Sequence, residues 1–107
     1  MDNAEITAIL ESIASVLEAS HEQFYALLVR NALSGPDQGL EEFLRSNDLW
    51  GGAGSIADQP FVGRSVQRKE LESLLVQLGK IQLSRGVANV RTKNWVETFE
   101  KWRQLGM

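Results

Sequence analysis

The groups of this chain best suited to chemistry lie in one glycine-rich segment, residues 48–64, which reads DLWGGAGSIADQPFVGR. Its three closely spaced glycines could present successive backbone N–H groups to an anion. Ser55, Asp58 and Arg64 could add a hydroxyl, a carboxylate and a cation. The segment does not match a phosphate-binding loop, because no lysine followed by serine or threonine comes after the glycines. A small-molecule, anion-binding or enzymatic site on residues 51–64 is therefore our second hypothesis.

The first hypothesis is that the same segment binds another protein. Seventeen residues separate Asn47 from Ser65, whereas helix connections usually have about 2–8 residues. The apolar residues of the segment argue against disorder. We therefore expect one long ordered loop, anchored by its tryptophan and phenylalanine. Its glycines could serve only to let the chain turn sharply beneath Trp50, or the loop could also bind a partner. The residues assigned to this partner-binding surface are Trp50, Gly51, Gly52, Ser55, Asp58, Phe61, Arg64 and Arg68.

Outside this segment the sequence offers no pattern of catalytic or metal-binding residues. The chain has no cysteine and one histidine, His21, which excludes disulfides, thiolate catalysis and Cys-ligated zinc. The neighbours of His21 do not supply the orienting partner that a general base needs. The carboxylates lack the spacing of a calcium-binding loop. We expect no cofactor, no metal and no catalytic residue, and the sequence favours a non-enzymatic interaction protein, such as an adaptor, a regulator or an immunity protein.

Charge is distributed unequally along the chain. Residues 1–63 carry ten acidic and two basic side chains, and residues 64–107 carry four acidic and nine basic ones, which together give the net charge of −3. Such asymmetry could serve an acidic or nucleic-acid partner or self-association. We favour packing of the two halves of the chain against each other, because the basic residues are interleaved with core positions. Acidic residues interrupt the basic stretches, and the overall charge is negative, which argues against nucleic acid. We therefore expect a protein partner, with a homodimer as the alternative.

Length and composition indicate a small globular protein. The 107 residues are 43% hydrophobic and 23% charged, which suits one domain over residues 1–107. The longest apolar run, residues 24–29, is much shorter than the roughly 20 residues of a membrane span. The N-terminus is acidic and lacks the basic region of a secretory signal. We expect a cytoplasmic protein that does not contact a membrane.

Apolar residues recur at helical spacing along most of the chain, which predicts an all-α fold. The first stripe consists of Ile6, Ile9, Leu10, Ile13, Val16 and Leu17. Phe24 and Leu27 continue it almost in phase, which favours one helix over residues 3–33 above two helices divided near Ser20. A short helix is predicted over residues 37–46, and one helical turn over residues 56–59.

Two more helices are predicted in the C-terminal half. The first covers residues 65–85, with Val66 in its buried stripe and with Gly79 inside it, where another backbone could approach closely. The last begins near Thr92 as its cap, and its aromatic stripe of Trp95, Phe99 and Trp102 is predicted to join the core. The predicted architecture is a small bundle or orthogonal array of four to five helices with one long ordered glycine-rich loop.

Overall fold

Helices make up the regular secondary structure of this protein. The computed structural model describes residues 3–61 and 65–106. In chain order the helices are α1 (Ala4–Ala19), α2 (Gln23–Ser34), α3 (Asp37–Leu44), a 3₁₀ helix (Ile56–Phe61), α4 (Ser65–Arg85) and α5 (Thr92–Gln104). These residues contain five α-helices and no strand, so the all-α prediction is confirmed. The helical turn expected at residues 56–59 is part of the 3₁₀ helix.

The N-terminal half is a pair of helices, and the favoured prediction of one helix over residues 3–33 is wrong. His21 adopts a left-handed φ of 63° just after α1. The N–H of Glu22 donates to Leu17 O at 2.8 Å, and the N–H of His21 donates to Glu18 O at 3.1 Å. These two bonds form a Schellman cap. The position is usually glycine, but histidine is among the residues that enter this conformation more readily than most.

The turn at His21 also resets the phase of the apolar stripe. Phe24 and Leu27, which continue the stripe of α1 in the sequence, are 67% and 59% exposed. Ala26 and Val29 are buried instead, on the side of α2 that packs against α1. Val66 was also predicted to be buried, but it lies in the first turn of α4 and is 78% exposed.

The core surrounds α4, which packs against α1 and also against α5 and the 3₁₀ helix. Its largest fully buried apolar side chains are Trp50, Phe99, Ile6, Leu10, Ile13, Leu17, Leu49, Ile56, Leu75 and Leu78. The radius of gyration is 12.7 Å, close to the roughly 13 Å of a compact chain of about 100 residues. None of the described helices is long and apolar enough to cross a membrane.

The aromatic stripe of α5 joins this core only in part. Phe99 is fully buried, and its ring lies 5.3 Å from that of Trp95 and 5.6 Å from that of Trp102, measured between centroids. Both tryptophans are partly buried and pack against the edge of the core. Trp95 therefore keeps part of its surface on the outside of α5, beside the glycine-rich segment.

Other groups approach Gly79 closely, as expected. These groups are side chains, whereas the sequence predicted the backbone of another segment. A Cβ atom at this position would meet Val96 Cγ2 and would lie 3.3 Å from two ring carbons of Trp50. The missing side chain of Gly79 therefore makes the space that the indole occupies between α4 and α5. This packing explains why a glycine stands in a helix interior, where it costs about 1 kcal/mol relative to alanine.

Gly79→Ala is expected to destabilise the protein by about 1–3 kcal/mol, because the new methyl group overpacks the contact with Val96 and Trp50. Gly39→Ala in α3 is the matched control, since its methyl group would lie at ordinary distances of 3.7 and 3.8 Å from the Pro36 ring. The control should keep or slightly raise stability, by about 0.4–1 kcal/mol. Urea denaturation measures both. A Gly79 variant as stable as the wild type would contradict the described packing.

Candidate functional site

The described first part of the glycine-rich segment is a closed turn. The N–H of Ile56 donates to Asp48 O at 2.8 Å, and the N–H of Ala57 donates to Leu49 O at 3.0 Å. These two bonds bring the ends of the turn side by side, and the residues between them project as a crest. We define the crest as residues 52–54, which are exposed.

The buried members of the predicted surface lie at the base of this turn. Trp50, Gly51 and Ser55 are buried, and the Trp50 side chain is one of the largest in the core. Gly52, the next residue of the predicted surface, is exposed at the start of the crest. The structure therefore separates the predicted residues into an interior group, which fixes the turn, and an exterior group, which a partner could reach.

Of the remaining predicted residues, the structure describes the side chains of Asp58 and Arg68, and Asp58 contacts the crest. Asp58 Oδ2 accepts the N–H of Gly54 at 3.3 Å, so this carboxylate turns back onto its own segment. Arg68 lies near the start of α4 and pairs with a glutamate of the same helix. The side chain of Phe61 and the whole of Arg64 lie outside the described residues, and their assignment stays a prediction.

One buried glutamine holds the base of the turn. Gln82 lies on α4 and is fully buried. Its Oε1 accepts the Nε1–H of Trp50 at 2.8 Å, and its Nε2 donates to Leu44 O at 2.9 Å and to Val87 O at 2.7 Å. Both amide hydrogens and the oxygen therefore have partners, as a buried amide requires. This side chain joins the end of α3, the tryptophan and the turn after α4.

A second amide, Asn89, holds the same region from the connection between α4 and α5. Its Nδ2 donates to Trp50 O at 2.8 Å and to Ser46 O at 3.2 Å. Its Oδ1 accepts the backbone N–H of Arg91 at 2.8 Å and that of Thr92 at 3.2 Å. Asn89 therefore fixes the turn that leads into α5, and the prediction of Thr92 as the cap is wrong, because Thr92 is the first residue of the helix and Arg91 is at the cap position. We call Gln82 and Asn89 together the amide clasp.

The clasp positions α5 beside the crest, and the two elements form a shallow groove. The groove has a volume of about 320 Å³ and is lined by Gly51, Gly52, Arg91, Asn94, Trp95 and Thr98. The Nε1–H of Trp95 donates to Gly51 O at 2.8 Å. A guanidinium nitrogen of Arg91 lies 3.5 Å from the place that a Cβ of Gly52 would occupy. The positively charged side chain of Arg91 therefore lies next to Gly52, at the start of the crest.

Sequence reasoning missed the α5 side of this groove. Arg91, Asn94, Trp95 and Thr98 follow at intervals of three, one and three residues, which places them on one face of a helix. That spacing was visible in the sequence, but nothing in it indicated that this face would meet the glycines. The contact is made between residues about 40 positions apart, and the amide clasp brings them together.

A buried carboxylate lies elsewhere on α4. Glu72 is 2% exposed, and its Oε1 has no hydrogen-bond donor within the described residues. Its nearest cation is Arg68, whose Nε lies 3.8 Å from Glu72 Oε2. Burial raises the pKa of the Glu72 carboxyl above its usual range, and the attraction of Arg68, Arg103 and Lys69 only partly opposes this rise. Deprotonated Glu72 is therefore a poorly compensated buried charge.

Gln82→Met is expected to destabilise the protein by about 2–4 kcal/mol. Methionine keeps the volume, but it leaves the Trp50 N–H and two backbone carbonyls without their described partner, and each buried unsatisfied group costs about 1–3 kcal/mol. Gln77→Met on the exposed side of α4 is the control and should change stability by less than about 0.5 kcal/mol. Urea denaturation followed by tryptophan fluorescence checks both. Equal stability of the two variants would show that the amide is dispensable.

Glu72→Gln is expected to stabilise the protein at pH 7 and to have little effect near pH 4. The raised pKa means that the folded state holds the proton more tightly than the unfolded state. The stability that comes from this group is therefore present below the unfolded pKa and is lost as pH rises through the folded pKa. Glutamine avoids this loss, which we expect to be on the order of 1 kcal/mol at pH 7.

The measurement is the free energy of unfolding of Glu72→Gln and the wild type from pH 4 to pH 7. Glu70→Gln is the matched control, since Glu70 lies on the same helix and is exposed. Its effect should stay within about 0.5 kcal/mol over the whole range. A Glu72→Gln variant that gains no stability relative to the wild type as pH rises would refute a strained carboxylate at this position.

Neither a cluster of metal ligands among the described residues nor a similarity to a known protein points to a further site. The described residues contain no group of three or more His, Cys, Asp or Glu side chains that could hold a metal ion. Comparisons of the chain with models of protein families, with curated proteins and with solved structures found no match. The functional interpretation therefore rests on the geometry of the crest and of the α5 groove.

Proposed function

We propose that this protein is a non-enzymatic interaction module that binds another protein through the crest and the adjoining face of α5. The observation that supports this proposal is the division of the glycine-rich segment into a fixed base and an exposed crest. Trp50 and Ser55 are buried at the base, whereas residues 52–54 are exposed. We further propose that residues 48–64 together form one ordered loop.

A crest held in this way suits recognition. Binding loses affinity when a loop must become ordered at the interface, so a loop fixed in advance keeps more of its interaction energy. Function is also concentrated on loops that a rigid scaffold positions. Here the scaffold is α4 and α5, which hold the base of the crest through Gln82 and Asn89. The groove beside the crest offers a partner a concave surface that encloses a volume of about 320 Å³.

The second hypothesis, an enzymatic or small-molecule site on residues 51–64, has less support. It needs the side chains of Ser55, Asp58 and Arg64 to converge on one ligand. Ser55 is buried, and the Asp58 carboxylate accepts a bond from the N–H of Gly54. The Asp58 carboxylate is therefore bonded to the turn itself, and the Ser55 side chain lies in the buried base. A cytoplasmic location, which the lack of cysteine favours, stays part of the proposal.

The proposal is tested by placing a charge on the crest and following the recovered partners. Ala53→Glu adds a bulky carboxylate at an exposed crest position, and Ala8→Glu makes the same change at an exposed position of α1. Affinity capture from a lysate should recover partners with the wild type and with Ala8→Glu, and these partners should be lost with Ala53→Glu. Circular dichroism should show that both variants are folded. Recovery of the same partners by all three proteins would contradict the assignment of this surface.

A further inference from the structure

We infer that the groove between the crest and α5 recognises an acidic side chain in a peptide segment of the partner. This inference rests on the proposed function, because it names the chemistry that the partner presents to the same surface. It depends on three features of the groove, which are unpaired backbone donors, a guanidinium beside them and the lack of an acidic residue in the lining.

The first feature is a run of backbone N–H groups without acceptors. Within the described residues, the exposed N–H groups of Gly52 and Ala53 have no hydrogen-bond acceptor, whereas Gly51 is buried at the base of the turn. The carbonyl of Gly51, in contrast, accepts a bond from the Trp95 indole N–H. The carbonyl of Gly52 accepts a bond from the Ser55 N–H. The crest therefore offers two successive backbone donors, and the carbonyls that precede them are already used within the fold. Successive backbone N–H groups of this kind bind anions.

The second feature is the guanidinium of Arg91. It is exposed, it lies over Gly52, and it makes no ion pair with any of the described residues. Arg30, Arg45, Arg68 and Arg85 each have a carboxylate within 4 Å. Arginine presents a planar fork of donors that matches a carboxylate, and such charge-assisted bonds are about twice as strong as neutral ones. Arg91 can therefore donate hydrogen bonds to a carboxylate that comes from outside the protein.

The remaining lining residues favour one carboxylate above a phosphate. Asn94 and Thr98 are uncharged, and Arg91 is the sole charged residue in the described lining of the groove. A single guanidinium balances one negative charge, whereas a phosphate carries nearly two. The segment already binds a carboxylate of its own, because Asp58 Oδ2 accepts the N–H of Gly54.

The experiment is a titration of ¹⁵N-labelled protein with two blocked peptides, acetyl-Gly-Glu-Glu-Glu-Gly-amide and acetyl-Gly-Gln-Gln-Gln-Gly-amide, at about 50 mM salt. The glutamate peptide should shift the amide signals of Gly52 and Ala53, and higher salt should weaken its binding. The glutamine peptide should leave these signals unchanged. Acetyl-Gly-Gly-Gly with a free carboxyl end, and inorganic phosphate, test a chain terminus and a phosphate as the source of charge. Stronger binding of either one would overturn the assignment to an acidic side chain.

Two variants separate the groove from general attraction between charges. Arg91→Gln should weaken binding of the glutamate peptide about tenfold, which corresponds to about 1.4 kcal/mol. Lys93→Gln removes the same charge from an exposed position of α5 outside the groove lining and should change binding less than about twofold. Equal effects of the two variants, or no shift of the crest amides by the glutamate peptide, would overturn the inference. Partners recovered through the crest would then still support the proposed function, with a different chemistry of recognition.

Discussion

The fold depends on the burial of one tryptophan from a connecting segment. An indole brings a large apolar area into a core, but its N–H must keep an acceptor when it leaves water. Gln82 supplies that acceptor at 2.8 Å, and Gly79 supplies the space for the ring. Both residues lie on one face of α4, three positions apart. A single helix face therefore determines where Trp50 lies and, with it, the start of the glycine-rich segment.

The burial of Trp50 also explains the character of the exposed surface beside it. The apolar side chains of the segment are used to hold its base, and the crest that remains is formed by Gly52, Ala53 and Gly54. A crest of this composition offers mainly backbone groups, so side chains for recognition must come from a neighbouring element. The bond that Asn89 Oδ1 accepts from the Arg91 N–H, in the turn before α5, holds Arg91 at that position. Stability and the proposed binding surface thus share the same amide clasp.

The two buried polar side chains of α4 have opposite effects. Gln82 has a partner for each polar group, so its burial links three parts of the chain at little cost. Glu72 is equally inaccessible, yet one of its oxygens has no donor within the described residues, and its nearest cation is 3.8 Å away. A buried polar group therefore stabilises the fold only when hydrogen-bond or ionic partners satisfy it, and burial alone does not ensure this.

The sequence by itself determined the helical class and the bounds of α4, since helical periodicity acts over a few residues. The end of α1 at Ala19 was visible only in the structure, because no glycine marks the left-handed cap at His21. The α5 half of the groove also needed the tertiary structure. Trp95 and Gly51 stand 44 positions apart, and their hydrogen bond exists because Gln82 and Asn89 hold the intervening helices in one arrangement. Long-range side-chain partners of this kind leave no local pattern in a sequence.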